Sequence, residues 1–224
     1  MRRLDRIEFS RPTAWPALRW LLPISLLLTL AGYFGAWIWH RTAGLVILGV
    51  DLAEYVKFLA EVRAGSVAMW REWFILPAIA VSLSLALVAV NRRLAIRWYV
   101  ALPLLLISVW AAFSVLPPAW TPALLVTPEF IKQTIMTAFC LGLIVISPLL
   151  RRLPALFVGW LIVLLHIGTA AGALWQFFVI KPAIHRVYGA IPPLGWGFYL
   201  YAAGVLLTLV ATSIATAGRG SRRF

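Results

Sequence analysis

The sequence predicts an all-α integral membrane protein: six transmembrane helices, both termini in the cytoplasm, and an amphipathic helix on the outer face. Three observations carry that expectation. Of 224 residues, 63% are hydrophobic and only 12% charged, against roughly 45–50% and about 25% in soluble domains. Polar surface is therefore too scarce to cover a water-soluble particle of this size. The apolar residues fall into six runs close to the ~20 residues that cross a hydrocarbon core, and basic residues gather at alternate run ends.

The runs cover residues 18–39, 70–90, 96–116, 130–150, 153–179 and 196–217, making one membrane domain of residues 1–224. Trp20 to Trp39 exceeds the apolar core of a signal peptide, about 7–15 residues, and reads as an uncleaved first span. With the N-terminus inside, cytoplasmic segments hold Arg2, Arg3, Arg6, Arg11, Arg19, Arg92, Arg93, Arg97, Arg151, Arg152, Arg219, Arg222 and Arg223, which is 13 of the 20 basic residues. Five of the seven acids fall on the other side: Asp51, Glu54, Glu61, Glu72 and Glu129. That bias sets the orientation, and tryptophans near the run ends suit the interface. The net charge of +13 thus reflects membrane orientation rather than nucleic-acid binding. Short loops and strict bias fit a bacterial cytoplasmic membrane.

Residues 40–69 form the longest connection. Thr42 to Val50 is apolar but too short to span, which leaves a re-entrant and an interfacial path open. Asp51, with Glu54 three residues on, has the spacing of a capping box. From there a helix is expected over residues 51–64. Leu52, Tyr55, Val56, Leu59 and Val62 form its apolar stripe, opposite Asp51, Glu54, Lys57 and Glu61, and Gly65 stops it. Thr127-Pro128-Glu129 predicts a capped start to the fourth span. Pro23, Pro77 and Pro103 lie inside predicted spans as candidate kinks.

Chemistry-bearing residues are few. No Asp, Glu, Lys or Arg lies deep in a predicted span, which argues against proton pumping, cation exchange and voltage sensing. His166 is the one titratable group near mid-membrane. It reads either as a neutral histidine bonded to a neighbouring Ser or Thr, or as an axial ligand to a haem or chlorin pigment. The sequence itself requires no cofactor. His40 and His185 are placed at the outer rim, where a metal pair is the less economical reading. Cys140 stands alone, so no intrachain disulfide forms.

Gly168 and Gly172 in span five, and Ala31 and Gly35 in span one, have the four-residue spacing of small residues that lets helices approach closely. They can serve intrachain packing or contact with another subunit. A rhomboid-type protease needs a Gly-x-Ser-Gly nucleophile motif and a histidine in span six, and the sequence has neither. Zinc-protease spacing and intramembrane aspartate pairs are missing too. The expectation is a non-enzymatic membrane subunit or accessory protein whose partners are the bilayer and other membrane subunits, not nucleic acid. The alternatives are a transporter component for an uncharged or amphipathic small solute and a haem- or chlorin-binding protein using His166.

Overall fold

The computed structural model describes residues 15–94, 96–117 and 120–220; the arginines at 2, 3, 6, 11, 222 and 223 lie outside the described residues. Helix α1 (Trp15–Phe34) is apolar, with Pro23 inside it. It does not run on to residue 39 as the hydropathy suggests. After Gly35 the chain becomes strand β1 (Ala36–Ile38), paired antiparallel with β2 (Ile47–Leu48). The helix stops because its terminal carbonyls find partners elsewhere. Gly49 N–H donates to Gly35 C=O, and Val50 N–H to Tyr33 C=O, each at 3.1 Å. On the other side, Gly195 N–H donates to Trp37 C=O at 2.9 Å, and Trp39 N–H to Pro193 C=O at 3.1 Å. A helix end left buried without such partners is costly. Residues 42–50 thus form the turn and second strand of a hairpin.

The expected helix over 51–64 is broken. It comprises α2 (Leu52–Tyr55), a 3₁₀ turn over Val56–Phe58 and α3 (Ala60–Arg63), interrupted at Leu59, whose ψ of 129° is extended. The break accompanies burial of the Leu59 side chain in one cluster with Leu52, Val56, Phe74 and Ile180. Asp51 stands at the N-cap of α2 as expected, but its φ and ψ of −82° and −13° are already helical and its side chain makes no cap bond. Gly65, at φ +70°, ends the segment as its freedom from Cβ strain allows.

A 3₁₀ turn, Arg71–Phe74, leads into α4 (Leu76–Val90). Pro77 sits in the first turn of α4, where its missing N–H costs nothing, so it caps the start and does not kink a span. Helix α5 (Trp98–Phe113) keeps Pro103 inside it. Short α6 (Pro122–Leu125) is capped by Thr121, whose Oγ1 accepts from Leu124 N–H at 3.3 Å. Helix α7 (Ile131–Ile146) then begins beyond the expected Thr127 cap. The Thr127 hydroxyl instead donates back to Leu124 C=O at 2.7 Å, and residues 127–130 form a turn. Helix α8 (Ala155–Tyr188) outruns its expected end at 179 by nine residues, carrying Lys181, Pro182, His185 and Arg186. At ~1.5 Å per residue it is about 50 Å long. Helix α9 (Trp196–Gly220) closes the chain.

Four stretches of these helices are long and apolar enough to cross a membrane: Arg71–Val90, Ile131–Arg152, Leu156–Tyr188 and Trp196–Ile214. Trp20–Phe34 and Trp98–Phe113 are apolar but shorter. The first is cut short by the hairpin.

Helices α1 and α9 pack antiparallel at backbone contact. Gly35 lies on Gly197 and the Trp196 ring, Gly32 on the Tyr201 backbone, and Gly204 on Thr29. Farther along, the Ser25 and Thr208 hydroxyls hydrogen-bond at 3.0 Å. Helix α4 is the hub, touching α1, α5, α7 and α8, and 72% of its spanning stretch is buried. Its Ser82 clasps α5 reciprocally: Ser82 Oγ donates to Ser108 C=O at 2.7 Å, and Ser108 Oγ to Ser82 C=O at 2.8 Å. The bundle has two unlike ends. At one, the basic end, the turns carrying Arg92, Arg93, Arg151 and Arg152 meet through Asn91 Nδ2, which donates to Leu153 C=O at 3.3 Å. At the loop end lie the hairpin, α2 and α3.

Gly32→Ala places its Cβ inside the backbone of Tyr201 and should cost at least ~1–3 kcal/mol, as overpacking does. Gly168→Ala meets nothing within 4 Å and should be neutral or stabilising by up to ~1 kcal/mol. Denaturant unfolding in detergent, followed by circular dichroism, checks the contrast.

Candidate functional site

The polar groups of the loop end do not form a solvated face; they knit separate segments together. Lys57, in the 3₁₀ turn after α2, bridges Glu54 of its own segment and Glu129 just before α7. Its ammonium also lies 5.0 Å from the Phe130 ring centre, within reach of a cation–π attraction. Arg71, at the head of α4, donates from Nη2 to the Glu129 carbonyl and holds Nη1 3.8 Å from Glu54 Oε1. Gln133, in the first turn of α7 and only 2% exposed, donates from Nε2 to Glu54 Oε1 at 2.9 Å. Two further ion pairs flank this centre: Lys132 with Glu72 at 2.9 Å, and Arg186 of α8 with Glu61 of α3 at 2.5 Å. The extension of α8 beyond its expected end is what brings Arg186 to Glu61.

These contacts set the protonation states. The Arg186 hydrogen bond holds Glu61 below the usual carboxylate range, and the Lys57 hydrogen bond does the same for Glu129. Burial works against charge on Lys57, but the hydrogen bonds to Glu129 and Glu54 outweigh it and raise its pKa. Asp51 behaves oppositely: burial raises its pKa, and its carboxylate has no hydrogen bond or ion pair among the described residues.

Beneath the network lies a cavity of about 40 Å³, with Tyr33, Asp51, Glu54, Ser114 and Gln133 in its wall. That is room for about one water molecule, whose share of liquid volume is ~30 Å³. Gln133 Oε1 and Arg71 Nη1 are buried without hydrogen-bond partners close by. Among the described residues, no three of His, Cys, Asp and Glu gather to hold a metal ion.

Compared with known family models, curated proteins and solved structures, the chain matches none. The residues themselves must carry the argument.

His166 is 1% exposed and faces the bundle interior. Its Nδ1 lies 3.0 Å from the Ile162 carbonyl of its own helix, so it bonds within α8 and not to a neighbouring Ser or Thr. Nε2 is buried and unpartnered. A haem or chlorin reaching Nε2 would have to part the helices packed over it. His40 packs edge-on against Tyr188, their ring centres 5.6 Å apart. Cys140 is fully buried and lies 3.4 Å from the Ser82 hydroxyl.

The small-residue positions separate into two kinds. Gly172 makes room for the Trp73 ring, and Gly35 for Trp196 and Gly197, so both serve packing within the chain. Gly168 and Ala31 are exposed. Of the apolar stripe at the loop end, Leu52, Val56 and Leu59 are fully buried, while Tyr55 and Val62 are half-buried against the same cluster. The loop-end network was missed by helical periodicity, although one signal for it was present: Glu129, Lys132 and Gln133 crowd the start of a predicted span, opposite a loop of mixed charge.

Because the folded state holds Glu61 and Glu129 below their ordinary pKa, they contribute stability above the unfolded carboxylate value of ~4.3. That stability is lost as pH falls through their lowered folded values. Melting in detergent should therefore weaken on the acid side of about pH 4, and Glu61→Gln should flatten that acid limb while leaving the neutral-to-alkaline profile unchanged in shape.

Proposed function

We propose that the protein is a non-catalytic, six-span subunit or accessory component of a larger membrane complex, with both termini on the cytoplasmic side of a bacterial cytoplasmic membrane. The observation that carries the reading is the combination of a buried hub with a mostly exposed rim. Helix α4 is the buried hub, whereas only 28% of the spanning stretch Ile131–Arg152 is covered by the chain itself. The cavity of about 40 Å³ beneath the loop-end network is itself too small for an organic solute.

Six spans follow if α1 and α5 cross as well. At 16 residues and ~1.5 Å per residue, α5 is about 24 Å long, a few ångströms short of a ~30 Å hydrocarbon core. Thinning of the bilayer and the Trp98 and Tyr99 rings at its end can make up such a mismatch. The antiparallel pairing of α1 with α9 puts the start of one beside the finish of the other, in keeping with termini on one side. The exposed Gly168 and Ala31 are the small-residue positions left for a partner helix.

Native-membrane purification in mild detergent, with mass spectrometry and an absorption spectrum on one peak, tests the reading. The expected result is co-purification of partner proteins at fixed stoichiometry. A solitary, stable, colourless protein would overturn it in favour of a transporter component, and a visible absorption band lost in His166→Ala would favour a pigment carrier. Gly168→Ile, which meets no atom of this chain within 4 Å of the added Cβ, should reduce the partner yield without lowering the melting temperature.

Topology has its own check. Cys140 is buried, so the unmodified protein gives a low background for membrane-impermeant maleimides. Ser66→Cys should label in intact cells, and Arg152→Cys only after permeabilisation.

A further inference from the structure

We infer that the groove beside the hairpin at the loop end binds a compact phosphate–ammonium zwitterion, of the kind carried by phosphoethanolamine. The groove has a volume of about 440 Å³ and is lined by Trp39, His40, Arg41, Val46, Leu48 and Asp51. That volume falls within the ~300–1,000 Å³ of small-molecule sites.

Its two charges are both uncommitted. Arg41 is exposed and makes no hydrogen bond or ion pair among the described residues, and Asp51 makes none through its carboxylate. This distinguishes Asp51 from Glu54, Glu61, Glu72 and Glu129, each of which has a cation partner. Arg41 and Asp51 line one groove but do not pair with each other. A ligand carrying both signs fits between them. Asp51 is exposed at the groove, yet partial desolvation raises its pKa, and a nearby ammonium favours its charged form.

The neighbouring side chains add direction. Thr42 N–H donates to His40 Nδ1 at 3.0 Å, so a neutral His40 ring carries its hydrogen on Nε2 and offers a second donor beside Arg41. Arg guanidinium with an N–H donor suits a phosphate. Trp39, 49% exposed, provides an aromatic face for an ammonium shared with Asp51. The frame is stiff. Strands β1 and β2 are pinned to the end of α1, Trp37 of β1 is 1% exposed, and its Nε1 donates to Gly32 C=O at 3.1 Å.

The same headgroup can come from a lipid or from a soluble molecule, and two arms separate the sources. In the first, purified protein in detergent is titrated calorimetrically with phosphoethanolamine, with inorganic phosphate and with ethanolamine. In the second, melting is compared in nanodiscs of phosphatidylglycerol with and without phosphatidylethanolamine. Binding in the first arm, or a raised melting temperature with phosphatidylethanolamine in the second, supports the inference, and the arm that responds identifies the source. Each half-ligand should bind at least about tenfold more weakly than the zwitterion. Arg41→Ala and Asp51→Asn should each weaken the response by about tenfold or more, and Arg63→Ala, an exposed arginine outside the groove, should leave it unchanged. Arg41 is exposed and makes no hydrogen bond or ion pair among the described residues, so its removal tests the site without endangering the fold. Absence of response in both arms, or Asp51→Asn and Arg41→Ala responding like the unmodified protein, overturns the inference.

Discussion

The backbone contact between the first and last helices constrains everything built on it. Glycines 32, 35, 197 and 204 bring α1 and α9 so close that a Cβ at any of them meets backbone of the opposing helix. In lipid, helices gain nothing from hiding apolar surface, because the tails are as apolar as the side chains; close packing and interhelical hydrogen bonds must do the work. The Ser25–Thr208 bond adds to the same seam. The seam also fixes the hairpin, since β1 follows directly from its end and takes a hydrogen bond from Gly195, one residue before α9. Around Trp37 the rings of Phe177, Phe198 and Tyr201 close in at 5.1–5.5 Å, so α8 joins the pair through an aromatic cluster.

Several buried hydroxyls follow one rule that keeps such a core cheap. Ser25, Thr29, Ser147, Thr169 and Thr212 each donate to a carbonyl three or four residues back in the chain. This satisfies the hydroxyl without calling on another helix. Ser82 and Ser108 depart from the rule and bond across helices, which makes their clasp a device for register between α4 and α5. His166 follows the rule with Nδ1 alone, so its second nitrogen stays buried and unpaired, as do the hydroxyls of Ser84 and Thr137.

Much of this was legible in the sequence, and the illegible parts share a cause. Apolar runs located all six long helices, because hydropathy over about 20 residues averages out local detail. It could not see that α1 stops at Phe34, since Trp37 and Ile38 are as apolar as any span residue and only distant backbone groups, at Gly49 and Gly195, turn them into a strand. Likewise the stripe from Leu52 to Val62 had helical spacing, yet Leu59 adopts an extended backbone as it enters the core. Asp51 and Thr127 had the right neighbours for caps, but their side chains lie elsewhere: one faces a groove, the other bonds back to Leu124. Tertiary contacts overrode local propensity at each of these positions.

The two ends of the bundle show what the charges are for. The turns of the basic end carry Arg92, Arg93, Arg151 and Arg152 and no acid in their own sequence, the distribution expected where positive charge orients a membrane protein. At the loop end nearly every acid is matched to a cation on another segment: Glu61 to Arg186 of α8, Glu72 to Lys132 at the start of α7, Glu129 to Lys57, and Glu54 to Arg71 at the head of α4. Such pairs are individually weak where exposed. They gain meaning as a set, because they tie four segments that hydrophobic burial alone would leave free to slide in a membrane interface. Against that matched background, an unmatched pair of opposite charges in one open groove is the exception. In a fold that pairs its other loop-end carboxylates with cations, Asp51 and Arg41 facing a common space give that groove the polarity on which the proposed zwitterion site rests.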